Sequence, residues 1–177
     1  MRILILNGSP RLTGNTRQMV KAFCEGLEAA GHEWDELVIP RMDIHGCLGC
    51  EYCQGKGQGK CCQKDDMEKV YALLSEAEML VLASPIYYHG LSGQFKCCID
   101  RFYAMLYPKK PEKLSKVAML LTSGDPDMYE GALFSYQGDF LEYLKLEGMG
   151  IITNHGYEKG LSEEKKEELR SFGASLR

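Results

Sequence analysis

Cysteine is concentrated in one short segment of the chain. Five of the 8 cysteines lie within the stretch CLGCEYCQGKGQGKCC, which runs from Cys47 to Cys62. Cysteine thiolates are ligands for zinc and for iron–sulfur clusters, and reactive thiols can also act as redox groups. The segment therefore predicts a metal site, a redox switch, or a metal-free loop that is rich in thiols.

The spacing of these cysteines favours an iron–sulfur cluster. Cys47, Cys50, Cys53 and Cys61 follow the pattern C-x2-C-x2-C-x7-C. Two short steps and one longer reach are how compact iron–sulfur sites deliver thiolates from one loop, and the glycine-rich QGKGQGK could wrap the fourth ligand around a cluster. Cys62 competes with Cys61 as the fourth ligand. The segment is thus interpreted either as a [4Fe–4S] site or as a metal-free loop open to oxidation in air, and zinc is a weaker alternative because it would add no redox role.

A second group of residues suited to chemistry lies in NGSPRLTGNT, directly after the first apolar run. A helix predicted to begin near residue 15 would offer backbone N–H groups and the positive end of its dipole to a phosphate. Short polar side chains would add hydrogen-bond donors, and Arg11 would add a full charge. The residues predicted to bind the phosphate are Ser9, Arg11, Thr13, Gly14, Asn15 and Thr16.

Known phosphate-binding motifs narrow the interpretation of this segment. It lacks the lysine and the spacing of the nucleotide triphosphatase loop, and it does not contain the dinucleotide fingerprint G-x-G-x-x-G. A Cys-x5-Arg phosphatase loop is excluded here because no cysteine lies between Met1 and Phe23. A bound monophosphate is the prediction, and a polar turn that only caps the helix is the alternative.

A third segment, ASPIYYHG, follows another apolar run. Its proline restricts the backbone, and the residues after it form an apolar ledge suited to a flat heteroaromatic ring. The residues predicted to contact such a ring are Pro85, Ile86, Tyr87 and Tyr88. The alternative is that the two tyrosines are ordinary loop aromatics.

The elements that position these segments are predicted from the hydrophobic pattern. Short apolar runs alternate with stretches of helical period, which is typical of a parallel sheet covered by helices on both faces. The predicted strands are 2–7, 33–39, 78–84, 116–123 and 148–154. The second carries charged residues and the fifth is interrupted by glycine, as expected at sheet edges. We therefore predict an α/β, flavodoxin-like three-layer sandwich with a five-stranded parallel sheet of order 2-1-3-4-5, and a ligand crevice between strands 1 and 3.

Length, charge and composition exclude several classes of protein. The 177 residues are the length of one ordinary domain, so we predict a single domain over residues 1–177. The net charge of -4 argues against a nucleic-acid groove. The N-terminal apolar run 3–6 is too short for a signal peptide or a membrane span. We expect a cytoplasmic protein without membrane or nucleic-acid partners, in which thiols stay reduced.

Motifs distributed over several loops resemble a known family. They are GSPR..GNT after strand 1, SPIYY...SGQFKCCIDR after strand 3, and C..C..C followed by C.QKDDM before the next helix. Over roughly the first 125 residues the chain resembles the NAD(P)H-dependent FMN reductases of flavodoxin-like fold, and within them the iron–sulfur flavoprotein-like branch. In the last third of the chain the resemblance is limited to the fold.

The resemblance implies a flavin site built from three loops. The FMN phosphate would contact Ser9, Arg11, Asn15 and Thr16, and the ring would pack on residues 85–88. The loop after strand 4 would approach the ring through three residues, which are Thr122, Ser123 and Gly124. No catalytic side chain is expected, because hydride passes from the nicotinamide to the flavin and the protein supplies position and electrostatics.

The implied function is an FMN-dependent NAD(P)H oxidoreductase that passes electrons to a quinone, a flavin or a protein acceptor. The alternative is an iron–sulfur flavoprotein or a flavodoxin-type electron carrier that does not use nicotinamide directly. The resemblance and the aromatic-rich segments 101–107 and 128–136 also predict a homodimer or a higher homo-oligomer. The alternative for these aromatic rings is that they fill the core.

Overall fold

One parallel sheet organises the chain in the computed structural model, which describes residues 1–107, 109–157 and 160–177. The strands are β1 Arg2–Asn7, β2 Glu33–Val38, β3 Met79–Tyr87, β4 Gly90–Leu91, β5 Lys116–Ser123 and β6 Glu147–His155. The order β2-β1-β3-β5-β6 is parallel throughout, and β4 pairs with β3 in the antiparallel direction. The flavodoxin-like fold and the predicted order of the five parallel strands are confirmed.

The predicted strand number is corrected from five to six. β3 continues past Ser84 to Tyr87, and the chain then folds back to form the two-residue strand β4. The sequence did not indicate this hairpin because its two turn residues, Tyr88 and His89, are not the Asn-Gly or Asp-Gly pair typical of such turns. The extra strand folds one of the loops predicted to bind a ligand into a hairpin.

Helices cover both faces of the sheet. They are α1 Asn15–Ala29, α2 Met67–Glu76, α3 Gly93–Asp100, α4 Tyr103–Leu106, α5 Glu130–Ser135 and α6 Glu163–Ser175. α5 continues into wider, π-helical turns over Tyr136–Tyr143, and single 3-10 turns lie at Ile39–Arg41 and Tyr52–Gln54. Among the helices of the described residues, none has the length and apolar character needed to cross a membrane.

Alternate residues of the central strands pack into two hydrophobic cores, one on each face of the sheet. Leu4 and Leu6 of β1 pack with residues of α2 and α3, whereas Ile3 and Ile5 pack with residues of α1 and α6. This arrangement follows from the period of two in a strand that is buried on both faces. Strand β2 is only partly buried along its length, as predicted for an edge.

Helices α1 and α6 approach each other closely through two glycines. A Cβ atom on Gly26 would lie 2.1 Å from the carbonyl oxygen of Arg170, and one on Gly173 would lie 2.5 Å from that of Phe23. Next to this contact, the rings of Phe23 and Phe172 are 5.5 Å apart. The packing fixes α1, whose N-terminus is the predicted phosphate site.

Candidate functional site

Three loops that carry predicted site residues meet at one edge of the sheet. They follow β1, β3 and β5, which are neighbours in the order of strands. Parallel strands end at the same edge, and the register pairs Asn7 with Ala83 and Pro85 with Thr122. The structure thus brings together the predicted segments 9–16, 85–88 and 122–124, which are far apart in the sequence.

The loop after β1 is held by its own polar groups. Ser9 is buried, and its backbone N–H donates to Asn7 Oδ1 at 2.9 Å. Ser9 Oγ accepts the N–H of Arg11 at 3.3 Å, and the Arg11 side chain is exposed. These bonds fix the backbone in front of α1 while the charged side chain remains accessible to a ligand.

The first turn of α1 is suited to an anion. Gly14 is the N-cap residue in an extended conformation, and within the described part of the chain no side chain caps this helix. The backbone N–H groups of a first helical turn point toward such a ligand, at the positive end of the helix dipole. The residues present therefore fit the phosphate of a nucleotide-like cofactor such as FMN.

A series of polar contacts with α1 and β2 orients the loop after β1. Arg17 pairs with Glu36 of β2, Glu36 Oε1 accepts from Asn7 Nδ2 at 2.9 Å, and Asn7 holds Ser9. Asn7 is 1% exposed, so its amide would otherwise lack hydrogen-bond partners. The sequence analysis missed these three positioning residues because they lie on three different elements.

Side-chain hydroxyls connect the three loops. Thr16 Oγ1 lies 2.7 Å from Thr122 Oγ1, which joins α1 to the end of β5. Ser92 Oγ donates to the carbonyl oxygen of Gly8 at 2.7 Å, and the Ser92 N–H donates to Ser84 Oγ at 3.2 Å. Thr16, which is predicted to bind the phosphate, and Thr122, which is predicted to contact the ring, thus contact each other and connect two sides of the crevice.

Two further residues of the first loop have defined surroundings. A Cβ atom on Gly8 would lie 2.7 Å from the ring of Phe95, so only glycine fits beneath α3. Asn15, a predicted phosphate ligand, accepts the backbone N–H of Gly160 through Oδ1 at 3.1 Å. The Asn15 side chain therefore anchors the segment that leads into α6 as well as lying at the helix start.

The hairpin of β3 and β4 presents only part of the predicted ring ledge. Ile86 is buried in the core, Pro85 is half-buried, and Tyr87 is exposed. Tyr88 is fully exposed. The backbone angle φ is 50° at Tyr88 and 64° at His89, so both residues lie in the left-handed region. Such a turn costs about 1–3 kcal/mol for each non-glycine residue, and strained residues of this kind cluster at ligand sites.

The loop after β5 is covered by a residue that the sequence analysis missed. A Cβ atom on Gly124 would lie 2.6 Å from the ring of Tyr157, and Tyr157 donates its hydroxyl to Asp125 Oδ2 at 2.9 Å. This hydrogen bond raises the pKa of the Tyr157 phenol. Ser123 Oγ contacts the hydroxyl of Tyr129 at 2.7 Å. Thus Gly124 is a contact surface for Tyr157 as well as a predicted ring contact.

A groove on the outer side of α1 adjoins the first loop. Its volume is about 620 Å³, and Leu12, Thr13, Arg17 and the half-exposed Trp34 of β2 lie along it. Of the predicted phosphate ligands, Thr13 is the one that lines this groove.

The five clustered cysteines surround one small cavity. Cys47, Cys50, Cys53, Cys61 and Cys62 all line it, and we call it the thiol cavity. Its volume is about 20 Å³, which is room for about one water molecule. The donor chemistry fits thiolate ligation, but the folded cavity does not fit a four-iron cluster. In the described ranges no group of three or more Cys, His, Asp or Glu side chains is placed to hold a metal ion.

Within the thiol cavity two sulfur atoms are in contact. Cys50 Sγ lies 3.5 Å from Cys62 Sγ, and both residues are exposed. A hydrogen bond from the backbone of Tyr52 lowers the pKa of Cys50, and the contact with Cys50 raises the pKa of Cys62. The structure therefore pairs Cys50 with Cys62, which was the alternative fourth ligand.

A buried ion pair fastens both ends of the cysteine segment. Arg101 follows α3 and donates to Asp65 Oδ2 at 2.7 Å, to Asp65 Oδ1 at 3.1 Å and to the carbonyl oxygen of His45 at 2.9 Å. Burial alone would raise the pKa of Asp65, but hydrogen bonds from Arg101 and from two backbone N–H groups lower it. His45 precedes the first clustered cysteine and Asp65 follows the last, so Arg101 clamps the segment at its two ends.

Comparisons with known proteins identify a family. The sequence matches the family model described as NADPH-dependent FMN reductase over residues 1–141. An iron–sulfur flavoprotein of Archaeoglobus fulgidus is 39% identical over 101 residues, which are 57% of this chain and 45% of that protein. An iron–sulfur flavoprotein of Methanosarcina thermophila is 25% identical over 168 residues, which are 95% of this chain and 85% of that protein.

A solved structure shows the same fold. The NAD(P)H:quinone oxidoreductase from Methanothermobacter marburgensis superimposes with a TM-score of 0.77 at 20% identity, covering 98% of this chain and 94% of that one.

The sequence relatives differ from this chain in length. The matched segments amount to only 45%, 51% and 48% of three of the iron–sulfur flavoproteins, so this chain spans about half the length of those relatives.

Proposed function

The chain belongs to the NADPH-dependent FMN reductase family, and on that premise we propose that it is an FMN-dependent oxidoreductase driven by NAD(P)H. Its electrons would pass to a quinone, a flavin or a protein acceptor. The observation that carries this proposal is the meeting of the loops after β1, β3 and β5 at one edge of the sheet, with the N-terminus of α1 among them. The chemistry supplied by a bound FMN is acceptance of hydride followed by donation of electrons.

In this proposal the chain's own residues bind FMN and orient its ring. The backbone N–H groups at Gly14, Asn15 and Thr16 and the side chains of Ser9 and Arg11 hold the phosphate. The exposed Tyr87 and the half-buried Pro85 support the ring on one side. The backbone around Thr122, Ser123 and Gly124 borders it on the other side. No side chain needs to move a proton.

Arg11 provides the sharpest test of the phosphate site. Arg11→Ala should weaken FMN binding about tenfold or more, since a hydrogen bond to a charged group contributes about 1.5–3 kcal/mol. Quenching of flavin fluorescence during titration measures the dissociation constant. Arg177→Ala is the matched control, because Arg177 lies at the end of the chain beyond α6 and should leave the affinity unchanged. If neither FMN nor a related flavin binds at micromolar concentration, the proposal fails.

Use of nicotinamide distinguishes a reductase from an electron carrier. Carriers are usually strongly acidic around the flavin, whereas the net charge here is only -4, which favours the reductase. Anaerobic stopped-flow mixing of the FMN complex with NADH and with NADPH should bleach the flavin absorbance. Failure of both nucleotides, with FMN bound, would leave the carrier as the function.

An iron–sulfur electron-transfer flavoprotein is the second candidate function. It is favoured by relatives named iron–sulfur flavoproteins and by the spacing of the cysteines, whereas the thiol cavity as folded does not fit a cluster. The ligands would be Cys47, Cys50, Cys53 and Cys61, and the segment would have to open to admit a cluster. Iron and acid-labile sulfide should be assayed after anaerobic reconstitution. Fewer than about one iron per chain would remove this candidate, because all four thiolates are needed.

The proposed assembly is a homodimer. Tyr103, Tyr107 and Tyr143 form a partly exposed row in which neighbouring rings are 5.2 Å and 6.4 Å apart, and the side chain of Phe134 is 80% exposed. Exposed aromatic groups of this kind are typical of protein interfaces. These residues support an interface on the face of the sheet that carries α4 and α5.

A further inference from the structure

The contact between Cys50 and Cys62 has a chemistry of its own. Their sulfur atoms are 3.5 Å apart, both residues are exposed, and both are free thiols. A disulfide needs a sulfur–sulfur distance of about 2.05 Å, so the two atoms must approach by only about 1.5 Å. The thiol cavity as folded thus has the geometry of a dithiol and lacks that of a four-ligand metal site.

We propose that Cys50 and Cys62 form a redox-active dithiol that closes to a disulfide when a peroxide oxidises it, and that Cys62 serves this pair rather than a metal. The inference does not depend on the flavin. It shares Cys50 with the second candidate function, so the disulfide and a cluster on Cys50 exclude each other.

The reaction balances with hydrogen peroxide as the two-electron oxidant. One sulfur attacks a peroxide oxygen, the O–O bond breaks, and a sulfenic acid and one water form. The second sulfur then attacks the sulfenic sulfur, the S–S bond forms, the S–O bond breaks, and a second water leaves. Two electrons pass from the thiols to the peroxide, and the two thiol protons end in the water released.

The surroundings allow the bond to close without disturbing the fold. Arg101 holds His45 and Asp65 outside the segment, so the helices behind it need not move. Near Cys50, Glu51 has a left-handed φ of 55° and accepts from the hydroxyl of Tyr103 at 3.0 Å. The chain between the two cysteines contains three glycines within QGKGQGK, which gives it the freedom to adjust.

Tryptic peptide mapping tests the pair directly. The full chain, purified without added iron and with its iron content measured, is reduced, treated with hydrogen peroxide, blocked with an alkylating agent and digested. Cleavage after Lys56 and Lys60 separates the peptide of Cys50 from that of Cys62 unless a disulfide joins them. The wild-type chain should lose the mass of two hydrogen atoms and yield the joined peptides. An oxidised wild-type chain without them would overturn the inference.

Two neighbouring variants serve as matched controls. Cys62→Ser and Cys50→Ser should each lose the joined peptides, whereas Cys61→Ser should keep them. Joined peptides that persist in Cys62→Ser at the wild-type yield would overturn the pairing. If the wild-type chain binds iron after reconstitution, Cys62→Ser should bind as much and Cys61→Ser should bind less. Loss of iron in Cys62→Ser would overturn the role given to Cys62. A wild-type chain without iron would remove only the second candidate function.

Discussion

Arg101 and Asp65 form an ion pair whose side chains are 1% and 3% exposed. Removal of one partner of a buried pair leaves the other charged and desolvated, which costs about 3–5 kcal/mol. We expect Arg101→Met to lower the free energy of unfolding by that amount, measured by urea denaturation. The matched control is Arg170→Met, which breaks a partly exposed pair with Glu25 and should cost no more than about 1 kcal/mol. Equal losses in the two variants would contradict the clamp.

The same pair predicts how stability depends on acid. The folded-state pKa of Asp65 lies below the unfolded value of about 3.9. Its contribution to stability is therefore complete above the unfolded pKa and is lost as the pH falls through the folded pKa. Urea unfolding of the wild-type chain at a series of pH values below about 5 should show this loss. In Asp65→Asn the free energy of unfolding should fall less steeply as the pH is lowered. Parallel curves for the two proteins would exclude Asp65 as the titrating group.

The sequence predicts individual site residues where residue type and local spacing carry the information. Ser9, Arg11 and Gly14 lie within one short loop, so the sequence alone predicts a phosphate site, and ligand binding there stays a prediction. Tyr157 could not be found, because its contact with Gly124 depends on how β5 and β6 end side by side. The pairing of Cys50 with Cys62 depends likewise on the path of the loop, whereas spacing alone favoured Cys61.

At the scale of elements, α1 and α6 cross at close range through Gly26 and Gly173. Gly26→Ala would place a Cβ atom 2.1 Å from the Arg170 carbonyl oxygen, so the helices must separate. Overpacking of this kind costs about 1–3 kcal/mol, and we expect a loss at the upper end of that range. Thermal and urea unfolding measure it. Gly138→Ala is the control, because its Cβ would meet nothing within 4 Å and should not destabilise.

Element boundaries could be predicted where the hydrophobic pattern changes sharply. The predicted strands 2–7 and 116–123 have the observed bounds of β1 and β5. The pattern could not show that β3 runs on to Tyr87, because Pro85 and the following tyrosines resemble a loop. The change from α-helical to π-helical winding at Tyr136 has no local signal in the sequence.

At the scale of the whole molecule, exposed aromatics test the proposed dimer. Phe102, Tyr129 and Tyr136 from the two predicted aromatic segments are buried, so part of these segments does fill the core. Phe134 is 80% exposed, and Phe134→Ser should therefore shift the assembly toward monomers without loss of stability. Light scattering at micromolar concentration measures the mass. Trp34→Ser, on the edge strand β2, should not change it. A wild-type species of 19.9 kDa would reject the dimer.

The position of α6 in the chain has a consequence for biosynthesis. This helix supplies Leu169 and Leu176 to the core that also contains α1, and it is translated after every strand of the sheet. The opposite core needs only elements that leave the ribosome earlier. Nascent chains that end before residue 163 would therefore display the apolar surface of α1 and the sheet that α6 covers in the folded protein, which is the kind of surface that chaperones bind.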